Sequence, residues 1–66
     1  MKYESFNSQG IELIKKKQFI EAIKSFEKAL QLKSDLTDAI HNLGLVHHRL
    51  GKLDQAVRFY KQAVAT

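Results

Sequence analysis

Cysteine and proline are both absent from this 66-residue sequence, and glycine occurs three times. Without cysteine, disulfides and thiolate metal ligands are excluded. A small scaffold must then be held by packing, by association or by a histidine-carboxylate metal site. The same absence is compatible with a reducing compartment. No stretch resembles an alternating strand rich in threonine, valine and isoleucine, so the whole chain reads as helix with short connections. No segment approaches the roughly 18 uninterrupted apolar residues of a membrane span, and the start, MKYESFNSQG, lacks the apolar stretch of a secretory signal. The expectation is a soluble, cytoplasmic chain with no membrane partner.

Charge of one sign is also scarce. Eleven Lys and Arg against seven Asp and Glu leave a net charge of +4, with the signs mixed along the chain. Lys15, Lys16 and Lys17 form the only charge run. They close a helical pattern, where cations meet the helix dipole and the last carbonyls, so they read as a solvated helix end in preference to a phosphate-binding patch. Nucleic-acid binding wants aromatics interleaved on a basic face, whereas Tyr3, Phe6, Phe19, Phe26, Phe59 and Tyr60 mostly fall at core or repeat-interface positions. Nucleic acid is not the expected partner.

What the chain does have is self-similarity. A shift of 34 residues aligns Phe6 with Ile40, Gly10 with Gly44, Phe19 with Leu53, Ala22 with Ala56, Ile23 with Val57, Phe26 with Tyr60, Ala29 with Ala63 and Leu30 with Val64. Each unit divides into two amphipathic helices, expected over 3–16 and 19–32, then 37–50 and 53–65. Gly51 supplies a permissive left-handed residue after Leu50, and Ser34, Asp35 and Thr37 offer caps for the third helix. Lys17 stands where the second unit has Gly51, so the first turn is expected to be the more strained. Gly10, Gly44, Ala22 and Ala56 lie where paired helices must approach closely. Glycine inside a helix is unfavourable by about 1 kcal/mol, so its repetition at one repeat position points to packing necessity.

These residues carry a family resemblance. The second unit reads Ile40-x2-Leu43-Gly44-x2-His47, then Gly51, Ala56-x3-Tyr60 and Ala63; the first reads Phe6-x2-Gln9-Gly10-x2-Leu13, then Ala22-x3-Phe26, Ala29 and Leu30. Over nearly the whole chain this resembles the tetratricopeptide repeat, TPR, with its pattern W-x2-L-G-x2-Y followed by A-x3-F, A and P. The departures are Gln9 for Leu, Lys17 for Gly, Ser34 for Pro and His47 for Tyr, and they bear on stability and turn geometry. The implied fold is all-α: two helix-turn-helix units stacked as a short right-handed α-solenoid of four antiparallel helices. One domain is expected over 1–66, with repeats at 3–36 and 37–66.

The resemblance implies an interaction module whose concave groove, lined by the first helix of each repeat, holds a peptide or protein segment. Carried over by position, the groove presents Asn7, Ile11, Ile14 and Lys15 from one repeat and His41, Asn42, Leu45, His48 and Arg49 from the other. The residues themselves support a second contact surface. If Phe6, Gly10 and Leu13 face the partner helix, Ile11 and Ile14 lie off that stripe, as Leu45 does beside Ile40, Leu43 and Gly44. Asn7 and Asn42 suit a peptide backbone, and Lys15 and Arg49 suit acidic residues or a terminal carboxylate. Some chaperone adaptors of this family grip a C-terminal dicarboxylate. Here Asn42 matches one of their residues, but Asn7 and Ile11 replace a required Lys and Asn, so that clamp is rejected.

The three histidines do not make a site on this register. His41 and His48 are seven residues apart, about 10 Å along a helix, whereas helical chelates use i, i+4 pairs. His47 falls at the aromatic position of the repeat and is expected to pack. Neither metal nor cofactor is expected. His41 and His48 near Arg49 do suggest a groove that responds to pH. Catalysis finds no cysteine, no glycine-rich phosphate loop after a strand, and serines far in sequence from the histidines, so an enzyme is not expected.

The pattern ends at Thr66 with Tyr60, Ala63 and Val64 lacking a following helix, although repeat modules normally need about three repeats and a polar cap. The leading expectation is therefore a peptide-binding scaffold. The alternative is a homo-oligomerisation module, or a fragment of a longer array, associating through Phe59, Tyr60, Ala63 and Val64.

Overall fold

Four amphipathic stretches become four helices in the computed structural model, which describes residues 2–65: α1 (Lys2–Lys15), α2 (Phe19–Leu32), α3 (Thr37–Arg49) and α4 (Leu53–Ala65). Met1 and Thr66, the ends of the expected domain, lie outside the described residues. Among the described residues there is no strand, and no helix is long and apolar enough to cross a membrane. The fold is all-α. α1 and α3 each stop one residue short of their expected ends, at Lys15 and Arg49.

The turns within the two units explain those stops. In the first, the Lys17 N–H donates to the Ile14 carbonyl and the Gln18 N–H to the Leu13 carbonyl, both at 2.9 Å. In the second, Gly51 donates to His48 at 3.0 Å and Lys52 to His47 at 2.8 Å. This double closure is the Schellman motif, which satisfies the last carbonyls of a helix and places one residue in the left-handed region. Gly51 takes φ 79° and Lys17 takes φ 62°. The expected strain is therefore present: a Cβ in that region costs about 1–2 kcal/mol that glycine avoids.

The connection between the units differs from its expected form. Ser34, Asp35 and Thr37 do not occupy the N-cap of α3; Leu36 does, without a side-chain cap bond. The reason is burial. Leu36 is half-buried against the core, and its backbone is fixed by its own N–H to the Lys33 carbonyl at 3.2 Å and by the Ile40 N–H on its carbonyl at 3.1 Å. Anchoring an apolar side chain here sets the entry of α3 more strongly than a solvated cap would.

The core lies between units. Ala22, Phe26 and Ala29 of α2 pack against Ala39, Leu43 and Val46 of α3, and Phe26 and Val46 are fully buried. Burying a side chain of that size stabilises by about 1.5–3 kcal/mol. α1 and α4 flank this pair, α1 on α2 and α4 on α3, and α1 also touches α3. Glycine makes both flanking contacts feasible. A Cβ on Gly10 would lie 2.5 Å from the Phe26 ring, and one on Gly44 2.7 Å from the Tyr60 ring. The same exclusion recurs at the same period, so the glycines are required by the approach of the following helix. The result is a slab of 31 × 29 × 14 Å, two helices deep.

Candidate functional site

Because α1 and α3 are neighbours, the first helices of the two units share one side of the slab. There the Asn42 Nδ2 donates to the Asn7 Oδ1 at 3.5 Å, a long and weak bond between half-buried side chains. Ile14 and Leu45 are also half-buried, and Ile11 is 37% exposed. Of these five residues only Asn7 and Asn42 touch each other, and Ile14 also packs against the core.

The charged edge is less uniform. Lys15 is exposed, and its Nζ lies 3.3 Å from the Glu12 carboxylate. Both side chains are about two-thirds solvated, so this pair holds Lys15 by only about 0.2–1 kcal/mol. His48 and Arg49 are exposed at the end of α3.

The histidines separate as their register requires. His47 is buried, its Nδ1 sits 2.8 Å from the Leu43 carbonyl, and its ring lies 5.0 Å from that of Phe59. A carbonyl only accepts, so Nδ1 carries the proton in this arrangement. His47 is a packing residue in the place where the first repeat has Leu13. His41 is exposed, with its ring 5.3 Å from Tyr60 of α4. The 34-residue shift explains its place: His41 is the counterpart of Asn7, which reaches the next first helix, so His41 faces the open end of the stack. Among the described residues, no group of three His, Cys, Asp or Glu is placed to hold a metal.

That open end carries the other predicted surface. Tyr60 and Ala63 are half-buried and Val64 is 88% exposed. Two shallow depressions meet there, one lined by Val57, Tyr60, Lys61 and Val64, the other by Thr37, His41, Tyr60, Ala63 and Val64. Phe59 is elsewhere, half-buried against His47 and the core. The sequence reading missed Leu53 and Val57, which are 56% and 48% exposed on the same helix. It also missed the polar outer side of α1, where Ser5, Gln9 and Glu12 are exposed in the places that Ala39, Leu43 and Val46 fill on α3. The 34-residue alignment held the signal for both.

Paired helices at a fixed period, a core shared between pairs and an open shallow surface define a helical-repeat interaction scaffold. Two family comparisons agree: one described as TPR repeat matches residues 10–51, and one described as tetratricopeptide repeat matches residues 39–66. The chain belongs to the tetratricopeptide repeat family, a non-catalytic fold whose general role is protein–protein interaction. A comparison with curated proteins gives no match.

Proposed function

We propose that the protein binds an extended or helical segment of another protein across the α1–α3 surface, without chemistry. The observation that carries this reading is the set of apolar side chains held off the packing stripe. Ile11, 37% exposed, and half-buried Leu45 stay outside the core cluster that Phe6, Leu13, Ile14 and Leu43 join, so the sequence maintains apolar contact area that the fold itself does not use. Asn7 and Asn42 supply donors and acceptors for a peptide backbone, and Arg49 at the end of α3 favours an acidic segment. Single substitutions Ile11→Glu and Leu45→Glu leave the core intact and place charge in the middle of the surface.

The test is selection of linear peptides from a displayed random library on the immobilised protein, followed by amide shift mapping with one selected peptide. Shifts centred on Ile11, Asn42 and Leu45, lost in both glutamate variants, support the proposal. Shifts centred on α4, or binding that survives both variants, refute it. A second reading, association of copies through α4, rests on the exposure of Val57 and Val64.

A further inference from the structure

The two units are internal controls for each other. Phe26 and Ala29 of α2 are fully buried because α3 covers them, whereas their counterparts on α4, Tyr60 and Ala63, are half-buried; Leu30 is half-buried and its counterpart Val64 is 88% exposed. α4 thus keeps the face that receives a helix on α2 and has none upon it.

Which helix fits is decided by chemistry on both ends. Head-to-tail stacking would bring α1 of a second copy onto α4. The outer side of α1 offers Ser5, Gln9 and Glu12 where the helix seated on α2 offers Ala39, Leu43 and Val46, so that arrangement would bury a carboxylate and an amide against an apolar face. α4 itself offers a better complement. Leu53, Val57, Tyr60 and Val64 follow each other at intervals of four, three and four residues, the spacing of a coiled-coil seam. Along one flank of that seam lie Asp54 and Lys61, seven residues apart and both exposed. Among the described residues neither has an ion-pair partner.

We propose that α4 pairs with α4 of a second copy, antiparallel about a two-fold axis. Val57 then meets the partner's Tyr60, and Leu53 meets the partner's Val64. The same register sets Asp54 against the partner's Lys61 and Lys61 against the partner's Asp54, so each flank contact is made twice with opposite charges. α2 has Ile20 and Glu27 at these two positions and lacks this self-complementarity. One helix face is smaller than the roughly 800 Å² per partner of a standard interface, so the dimer is expected to be reversible and dependent on concentration. The surface is separate from the α1–α3 surface, and neither proposal stands or falls with the other.

Charge reversal tests the register without touching the core. The 66-residue chain is measured by sedimentation equilibrium from micromolar to millimolar concentration, with circular dichroism confirming the helicity of each variant. Wild type is expected to reach twice the monomer mass and no more. Asp54→Lys alone sets two lysine pairs across the interface, and Lys61→Asp alone sets two aspartate pairs; each weakens association by about tenfold or more. Mixing the two variants restores opposite charges at both contacts, so a heterodimer forms where neither variant pairs with itself. A wild type that stays monomeric at millimolar concentration overturns the proposal and reserves the face for a helix of another protein. Growth beyond the dimer points to head-to-tail stacking and overturns it too, as does a mixture that associates no better than its components.

Discussion

Gly10→Ala and Gly44→Ala are the same substitution at the same repeat position, and they should not have the same effect. In an exposed helix interior each would stabilise by about 1 kcal/mol, because alanine is the better helix former. Against this gain stands the ring that each glycine admits. A Cβ on Gly10 would meet three atoms of Phe26 at 2.5, 2.6 and 2.8 Å. Ordinary carbon contacts are about 3.5–4.0 Å, so the ring must retreat by roughly 1 Å. Phe26 is fully buried and packed with Ala29, Ala39, Leu43 and Val46, so it has nowhere to go. The upper end of the overpacking range, about 3 kcal/mol, applies, and the net loss should be about 2 kcal/mol. A Cβ on Gly44 meets Tyr60 at 2.7, 2.8 and 3.2 Å, but Tyr60 is half-buried on the open face of α4 and can swing toward solvent. There the overpacking term falls toward its lower end of about 1 kcal/mol and nearly cancels the propensity gain. Thermal unfolding followed by circular dichroism at low micromolar concentration measures both. For a domain of this size a difference of about 2 kcal/mol appears as a gap of about 8–16 °C in Tm. Equal losses at the two positions, or a stabilised Gly10→Ala variant, would refute the packing argument.

Two further outcomes follow from the turn and from the outer side of α1. Lys17→Gly removes a Cβ from a left-handed residue at a cost in unfolded-chain entropy, so thermal melting should show a net gain of about 0.5–1 kcal/mol; an unchanged or lower Tm would mean that φ 62° carries no strain at Lys17. The triple variant Ser5→Ala, Gln9→Leu, Glu12→Val gives α1 the side that α3 turns to α2, and light scattering should then register mass that keeps rising with concentration instead of levelling, because a head-to-tail contact does not close. A mass curve identical to that of wild type would show that the polarity of α1 is not what limits stacking.

Much of this architecture is written in local pattern. The period of 34 residues located the helices, the two excluding glycines and the left-handed turn at Gly51, because each is set by side-chain size or backbone freedom at a single position. The entry of α3 was not legible. Three polar residues looked like caps, and the outcome turned on Leu36 reaching a core that exists only after folding. The candidate surface divides the same way. Displacement of Ile11 and Leu45 from the packing stripe follows from helical geometry alone. That Phe59 turns toward His47, that Lys15 lies beside Glu12, and that His41 rests on Tyr60 depend on how helices meet, which no single-helix pattern encodes.

The position of the core between α2 and α3 also means that the unit of the text and the unit of the fold are out of phase. Reading the chain as two repeats cuts it after α2, through the cluster where Phe26 and Val46 are sealed from water. The seam between α2 and α3 is instead the interior, and α1 and α4 close it from the two flanks, α4 by laying Tyr60 over Gly44 and Phe59 against His47. Amide exchange should then sort by distance from that seam and ignore repeat boundaries: slow together in α2 and α3, faster in α1 and α4. Loosening α4 would then bare Gly44 and His47 and withdraw the Tyr60 face in one motion.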